Sequence, residues 1–154
     1  PKSSALTKLI QRSSELAGSG LKDSDSLSVS FVGLKEIAEI NESFVGHKGP
    51  TDVICFDYRQ SKAAPEPEAF PFADDDDDEV AVEMAICGDV AFKEGEKRGG
   101  TYAREMVLYL VHGLLHAAGE DDLSPAPKRR MRRRERQVIA ELQNEFIFSD
   151  VFPT

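Results

Sequence analysis

Residues 101–118 carry the longest apolar helical pattern of the chain, with Met106, Val107, Leu110, Val111, Leu114 and Leu115 recurring at helical spacing. Gly119 follows as the left-handed stop. A helix this apolar has to be covered by other elements, so the rest of the chain is expected to be arranged around it. With 154 residues there is enough chain for one core and little room for two. The expectation is a single domain over residues 1–154 with this helix at its centre.

The covering elements are legible from periodicity and breakers. Residues 5–16 place Leu6, Ile10 and Leu16 on a weakly amphipathic helix that ends at Gly18-Ser19-Gly20. Residues 27–32 alternate Leu27, Val29 and Phe31 with serines, which is strand period. Residues 34–44 return to helical spacing until Gly46 and Gly49-Pro50 break it, and residues 51–58 form a β-branched, aromatic strand. Residues 80–92 supply one or two further short strands, interrupted at Gly88-Asp89; that pair reads first as a bulge or strand break and second as a site carrying Asp89. Ser124-Pro125 suits the N-cap and first position of a last helix, whose seam is Met131, Val138, Leu142 and Phe146. Between the strands, residues 60–79 hold Pro65, Pro67, Pro71 and an acid run, an exposed acidic, proline-rich loop. The order predicts an α+β fold: one small mixed sheet of about four strands covered by about five helices.

The net charge of −9 averages two opposite features. Residues 74–79 are six consecutive acids, while residues 128–136 (KRRMRRRER) hold seven of the 19 basic residues and one acid. An acidic chain usually argues against a nucleic-acid partner, but segregated charge removes that objection. Forty per cent apolar residues excludes a wholly disordered chain, and no apolar run reaches membrane-spanning length. Residues 1–9 contain no continuous apolar stretch of the secretory kind. Cys55 and Cys87 both sit in apolar contexts and read as free, buried thiols of a reducing, cytoplasmic compartment.

The chemistry concentrates in His112-Gly-Leu-Leu-His116-Ala-Ala-Gly119-Glu-Asp-Asp122. Residues four apart share a helix face, so the two imidazoles can address one ion, and Gly119 allows the chain to swing Asp122 back toward it. Asp121 is the competing donor. Two imidazoles and a carboxylate leave a coordination position open, the form of a catalytic rather than a structural site, with Zn2+ as the expected ion. The bland alternative is a pair of histidines lining a core helix. Peptidases with this spacing place Glu directly after the first histidine as general base; here that residue is Gly113, which disfavours peptidase chemistry.

This segment resembles the His-Gly-x-Leu-His-x-x-Gly-x-Asp-His signature of the YbeY family, bacterial ribosomal-RNA maturation factors regarded as metal-dependent endoribonucleases. Asn41-Glu-Ser-Phe44, Gly46 and Pro50-Thr-Asp-Val-Ile-Cys-Phe56 are similar to the family's Asn…Pro-Thr-Asp-Val-Leu-Ser-Phe block, and Ile86-Cys-Gly-Asp-Val90 to its Leu-Gly-Asp-Ile/Val strand. The resemblance covers residues 28–122, in order and spacing. It implies a hydrolase that cuts single-stranded RNA in ribosomal RNA processing, with ribosomal RNA or ribosomal particles as partners. Two departures stand out. Asp122 occupies the position where the family usually has a third histidine, which makes a bound water less acidic than three neutral ligands would. Val45 stands where the family has an arginine; His47 and Lys48, in the same loop, are the candidate replacements, or else ordinary turn residues.

Arg129, Arg130, Arg132, Arg133 and Arg134 lie near the start of the last helix, where cations oppose the macrodipole. RNA phosphates would compensate them, and so would Glu120, Asp121 or the acid run. Two rival functions remain: a ribosome-assembly factor that binds RNA without cutting it and keeps the metal for structure, and a metallohydrolase acting on another substrate.

Overall fold

The computed structural model describes residues 3–22, 26–59, 80–120 and 123–154. Helix α1 (Ser3–Ala17) leads into strand β1 (Leu27–Val32), then α2 (Leu34–Ile40), which runs on into one π-helical turn, Asn41–Val45. Strands β2 (Val53–Asp57) and β3 (Val82–Cys87) follow, and then α3 (Gly88–Lys97), α4 (Tyr102–Ala117), α5 (Pro125–Glu145) and α6 (Phe148–Val151).

The sheet has the order β1-β3-β2, with β3 parallel to β1 and antiparallel to β2. Every residue of β3 is buried, because both of its faces are covered. Strand alternation sorts them: Met84 and Ile86 join the core under α4, whereas Ala85 and Cys87 join Ile37 and Ile40 of α2 with Val32 and Ile54. Helix α4 is the centre of the larger cluster, with Val107, Val111, Leu114 and Leu115 wholly buried. It touches α1, α3, α5, α6, β2 and β3, so the apolar helix does occupy the middle. Its close approach to the sheet depends on Gly113, where an added Cβ would lie 2.6 Å from Met84 Cε and 2.8 Å from its sulfur.

Two expectations are corrected. Among the described residues the sheet has three strands rather than about four, because the residues after Cys87 turn into α3 instead of a further strand. A short apolar run does not distinguish strand from helix by itself. Here Ala91 and Gly95, four apart, are the buried face, and Gly95 lets the helix press against the backbone of Thr101, 3.1 Å from where a Cβ would stand. Gly88-Asp89 is therefore a helix start rather than a bulge, and Asp89 Oδ2 accepts the Leu34 backbone N–H at 3.2 Å. Among the described residues there are six α-helices where about five were expected; α6 adds Phe148 and Val151 to the core. The last helix begins, as read, with Ser124 at the N-cap and Pro125 at its first position.

Cys55 and Cys87 are both free thiols; Cys87 is buried and Cys55 partly so. Burial, with the nearby Asp57 carboxylate, pushes the Cys55 thiol up to about 12, which keeps it an unreactive packing residue. No helix of the described residues is long and apolar enough to cross a membrane.

Candidate metal centre

Helix α4 carries His112 and His116 on one face, and their Nε2 atoms stand 3.1 Å apart. The rings meet edge to face, with centroids separated by 4.7 Å. Glu135, from α5, places Oε1 2.7 Å from His112 Nδ1. A carboxylate at that distance keeps the proton on Nδ1 and leaves Nε2 as an electron-pair donor, the arrangement in which histidine binds a metal. Two nitrogens bound to one tetrahedral zinc at about 2.0–2.1 Å would be roughly 3.3 Å apart, so the observed separation fits a shared ion. His116 is exposed and the His112 side chain is 24% exposed, so the pair opens to solvent.

Among the described residues no group of three or more His, Cys, Asp or Glu side chains is assembled around an ion. The proposed third donor, Asp122, and its rival Asp121 lie outside the described residues. In the turn that precedes them Gly119 takes φ of +97°, its N–H donates to His116 O at 3.0 Å, and the Glu120 N–H donates to Leu115 O at 2.9 Å. Arg59 braces the same end, donating to Ala117 O at 2.9 Å while its guanidinium pairs with Asp57.

Beside His112 lies a cleft of about 540 Å3 that also takes in Asp52, Tyr109, Arg132 and Glu135. A larger hollow, about 720 Å3, runs along α1 and is lined by no histidine or arginine among the described residues. His112 borders only the smaller of these two. Asp52 does two things: Oδ1 accepts the Val53 N–H at 2.7 Å and the Thr51 hydroxyl at 3.3 Å, and the residue also lines the cleft.

The other sequence-predicted residues are spread out. His47 and Lys48 are exposed in the loop after the π-helical turn, and neither lines the cleft. That loop is folded back by Asn41, whose amide donates to Gly49 O at 2.9 Å. Of the five arginines proposed for RNA, Arg132 lines the cleft, while Arg129 and Arg133 are exposed on α5. Arg130 comes within 3.6 Å of Glu120. Arg134 turns inward and donates to Ala17 O at 3.1 Å, satisfying a terminal carbonyl of α1. Glu135 is the residue that sequence reasoning missed. The available signal was its isolation as the one acid in residues 128–136.

A family model described as endoribonuclease YbeY matches residues 2–143. A Frankia casuarinae protein named endoribonuclease YbeY is 32% identical over 119 residues, which are 74% of this chain and 55% of that protein. The chain thus spans little more than half of that relative's length. An Elusimicrobium minutum protein of the same name is 35% identical over 112 residues, 73% of this chain and 71% of the relative. A solution structure of a Thermotoga maritima protein matches with a TM-score of 0.55 at 23% identity, covering 94% of this chain and 88% of that one, which shows a common fold.

Proposed function

The chain belongs to the YbeY family, and on that premise we propose that it is a metal-dependent endoribonuclease that cuts single-stranded RNA during ribosomal RNA maturation. Residues 1–154 act as one domain, and a cytoplasmic setting follows from that substrate. The observation that carries the reading is the convergence of His112 Nε2 and His116 Nε2, with Glu135 holding the far nitrogen of His112. A divalent ion, in our reading zinc, would be held by His112, His116 and Asp122. When bound, it neutralises charge developing on a phosphodiester and lowers the pKa of an attacking water.

The chain's own contribution is to position and to supply charge. Glu135 fixes the ring orientation of His112, and Arg59 braces the end of α4 where Gly119 turns the chain. No general base can stand at position 113, because that position faces Met84 rather than the cleft. His47 and Lys48, in the loop after Val45, are the candidates for the role of the family's arginine or else ordinary turn residues, and neither lines the cleft; Arg129, Arg130, Arg132, Arg133 and Arg134 form the RNA-binding side. Within that set Arg129, Arg132 and Arg133 are the outward-facing members, Arg130 and Arg134 being engaged with Glu120 and α1.

One observation favours a second reading, a non-catalytic ribosome-assembly factor: Val45, where the family's arginine is expected, is a 41% exposed aliphatic side chain. A single experiment separates the two. The purified protein is assayed for bound metal and incubated with single-stranded and duplex RNA beside a His112→Ala/His116→Ala variant. Metal-dependent cleavage of the single strand, absent in the variant, is expected. Cleavage that survives in the variant rules out a catalytic ion; retention of RNA without cleavage selects the assembly factor.

A further inference from the structure

We propose that the cleft beside His112 is a phosphate-binding trough that seats the sugar-phosphate backbone of a single RNA strand next to the imidazole pair. The proposal rests on the endoribonuclease reading and names the part of the site that holds the substrate. Among the described residues five cations line the cleft: Lys128, Arg132 and Arg136 from α5, with Arg104 from the first turn of α4 and Arg98 from the end of α3. The α5 members are four residues apart, so they form one stripe about 12 Å long, facing the cations contributed by α3 and α4. Among the described residues the lining has two acids, Asp52 and Glu135, and each is already used, by the Val53 N–H and by His112. Arg98 is shared with Glu94 and Glu105 at 3.6 and 3.7 Å. Among the described residues no carboxylate comes within 4.0 Å of the charged ends of Arg104, Lys128, Arg132 or Arg136.

Cations gathered along one cleft repel one another, and the stripe on the first half of α5 also opposes the helix dipole. Met131, Leu108 and Ile139 complete the walls, so the field is focused by apolar surface rather than dissipated. A polyanion relieves all of these costs together. Among the described residues the rings of the lining are Tyr109, which is buried, and His112, whose imidazole is engaged with His116 and Glu135, so neither is offered as a stacking platform for a base. The trough therefore reads backbone rather than bases, and it binds with strong salt dependence and little sequence preference. Because His112 is part of the same lining, a strand held there passes the candidate metal centre.

The test uses the full chain with zinc present and a fluorescent single-stranded oligouridylate as probe. An Arg104→Gln/Arg132→Gln/Arg136→Gln variant is compared with a Lys8→Gln/Lys35→Gln/Lys93→Gln variant, which loses the same charge at exposed positions outside the cleft. Circular dichroism and zinc content establish that each variant is folded and loaded. We expect the cleft variant to lose affinity on the order of tenfold at low salt, and the slope of log K against log salt to flatten by roughly 2. The surface variant is expected to keep the wild-type slope. Equal slopes for wild type and cleft variant overturn the trough, and if cleavage persists in both, the endoribonuclease reading stands without it. Weaker binding by the cleft variant of a wild type that never cleaves supports the trough and overturns the catalytic reading instead. A wild type that does not bind the probe overturns the trough.

Discussion

Position 113 has no side chain because α4 sits too close to β3 to admit one. Replacing Gly113 with Ala would force Met84, wholly buried, to move within a packed core. Overpacking of that kind costs about 1–3 kcal/mol, and the better helix propensity of Ala returns about 1 kcal/mol. A net fall in Tm is expected, and a double-mutant cycle with Met84→Ala should show the two positions strongly coupled. Glu135 makes the opposite kind of contribution, a contact supplied from another helix. Glu135→Gln keeps a hydrogen-bond partner for His112 but removes the carboxylate charge. Zinc affinity measured against a competing chelator should fall about 10–100-fold with the far-UV spectrum unchanged; unchanged affinity would mean that the 2.7 Å contact is incidental to metal binding.

Among the elements, helix ends are tied by arginines from distant segments. Helix α1 has no basic residue in its last turn, and Arg134 of α5 reaches its terminal carbonyls instead. Arg59, just beyond β2, donates to Ser19 O after α1 and to Ala117 O at the end of α4, while pairing with Asp57. Burial on its own raises the Asp57 carboxyl, but the Arg59 hydrogen bonds outweigh it and hold the group below the usual carboxylate range. A lowered folded-state pKa gives stability that is complete above the ordinary aspartate value of about 3.9 and is lost as pH falls through the folded value. Arg59→Met is therefore expected to cost about 1.5–3 kcal/mol near neutral pH. Its deficit relative to wild type should shrink in acid, as denaturant unfolding at about pH 7 and about pH 2.5 can check. A deficit independent of pH would mean that Asp57 is not the partner that matters.

For the whole molecule, an ion bound only by the folded state links metal to stability. At a free zinc concentration about 100 times Kd, the folded state gains about 2.7 kcal/mol, which is a rise of roughly 5–10 °C in Tm for a chain of this size. That rise should vanish in His112→Ala/His116→Ala, and a full rise in the variant would place the ion elsewhere. The net charge of −9 conceals a division at the same scale. The cations of α5 are assigned three separate tasks by packing: Arg134 holds α1, Arg130 meets Glu120, and Lys128, Arg132 and Arg136 line the cleft.

The chain by itself determined whatever depends on neighbours a few residues away. Periodicity located α1, β1, β2, α4 and α5, Ser124-Pro125 and Gly119 marked helix ends, and the four-residue spacing of His112 and His116 put both imidazoles on one face. Local pattern was insufficient after Cys87, where a short apolar run was equally consistent with a strand, and at α6, which has only four residues. Tertiary structure decided what needs segments far apart in the chain. It brought Glu135 to His112 across 23 positions, sent Arg134 to α1 across 117, and closed the cleft from α3, α4 and α5. A side chain's role there is set by which helix packs against which, and hydrophobic packing is non-directional enough that a one-dimensional pattern does not encode it.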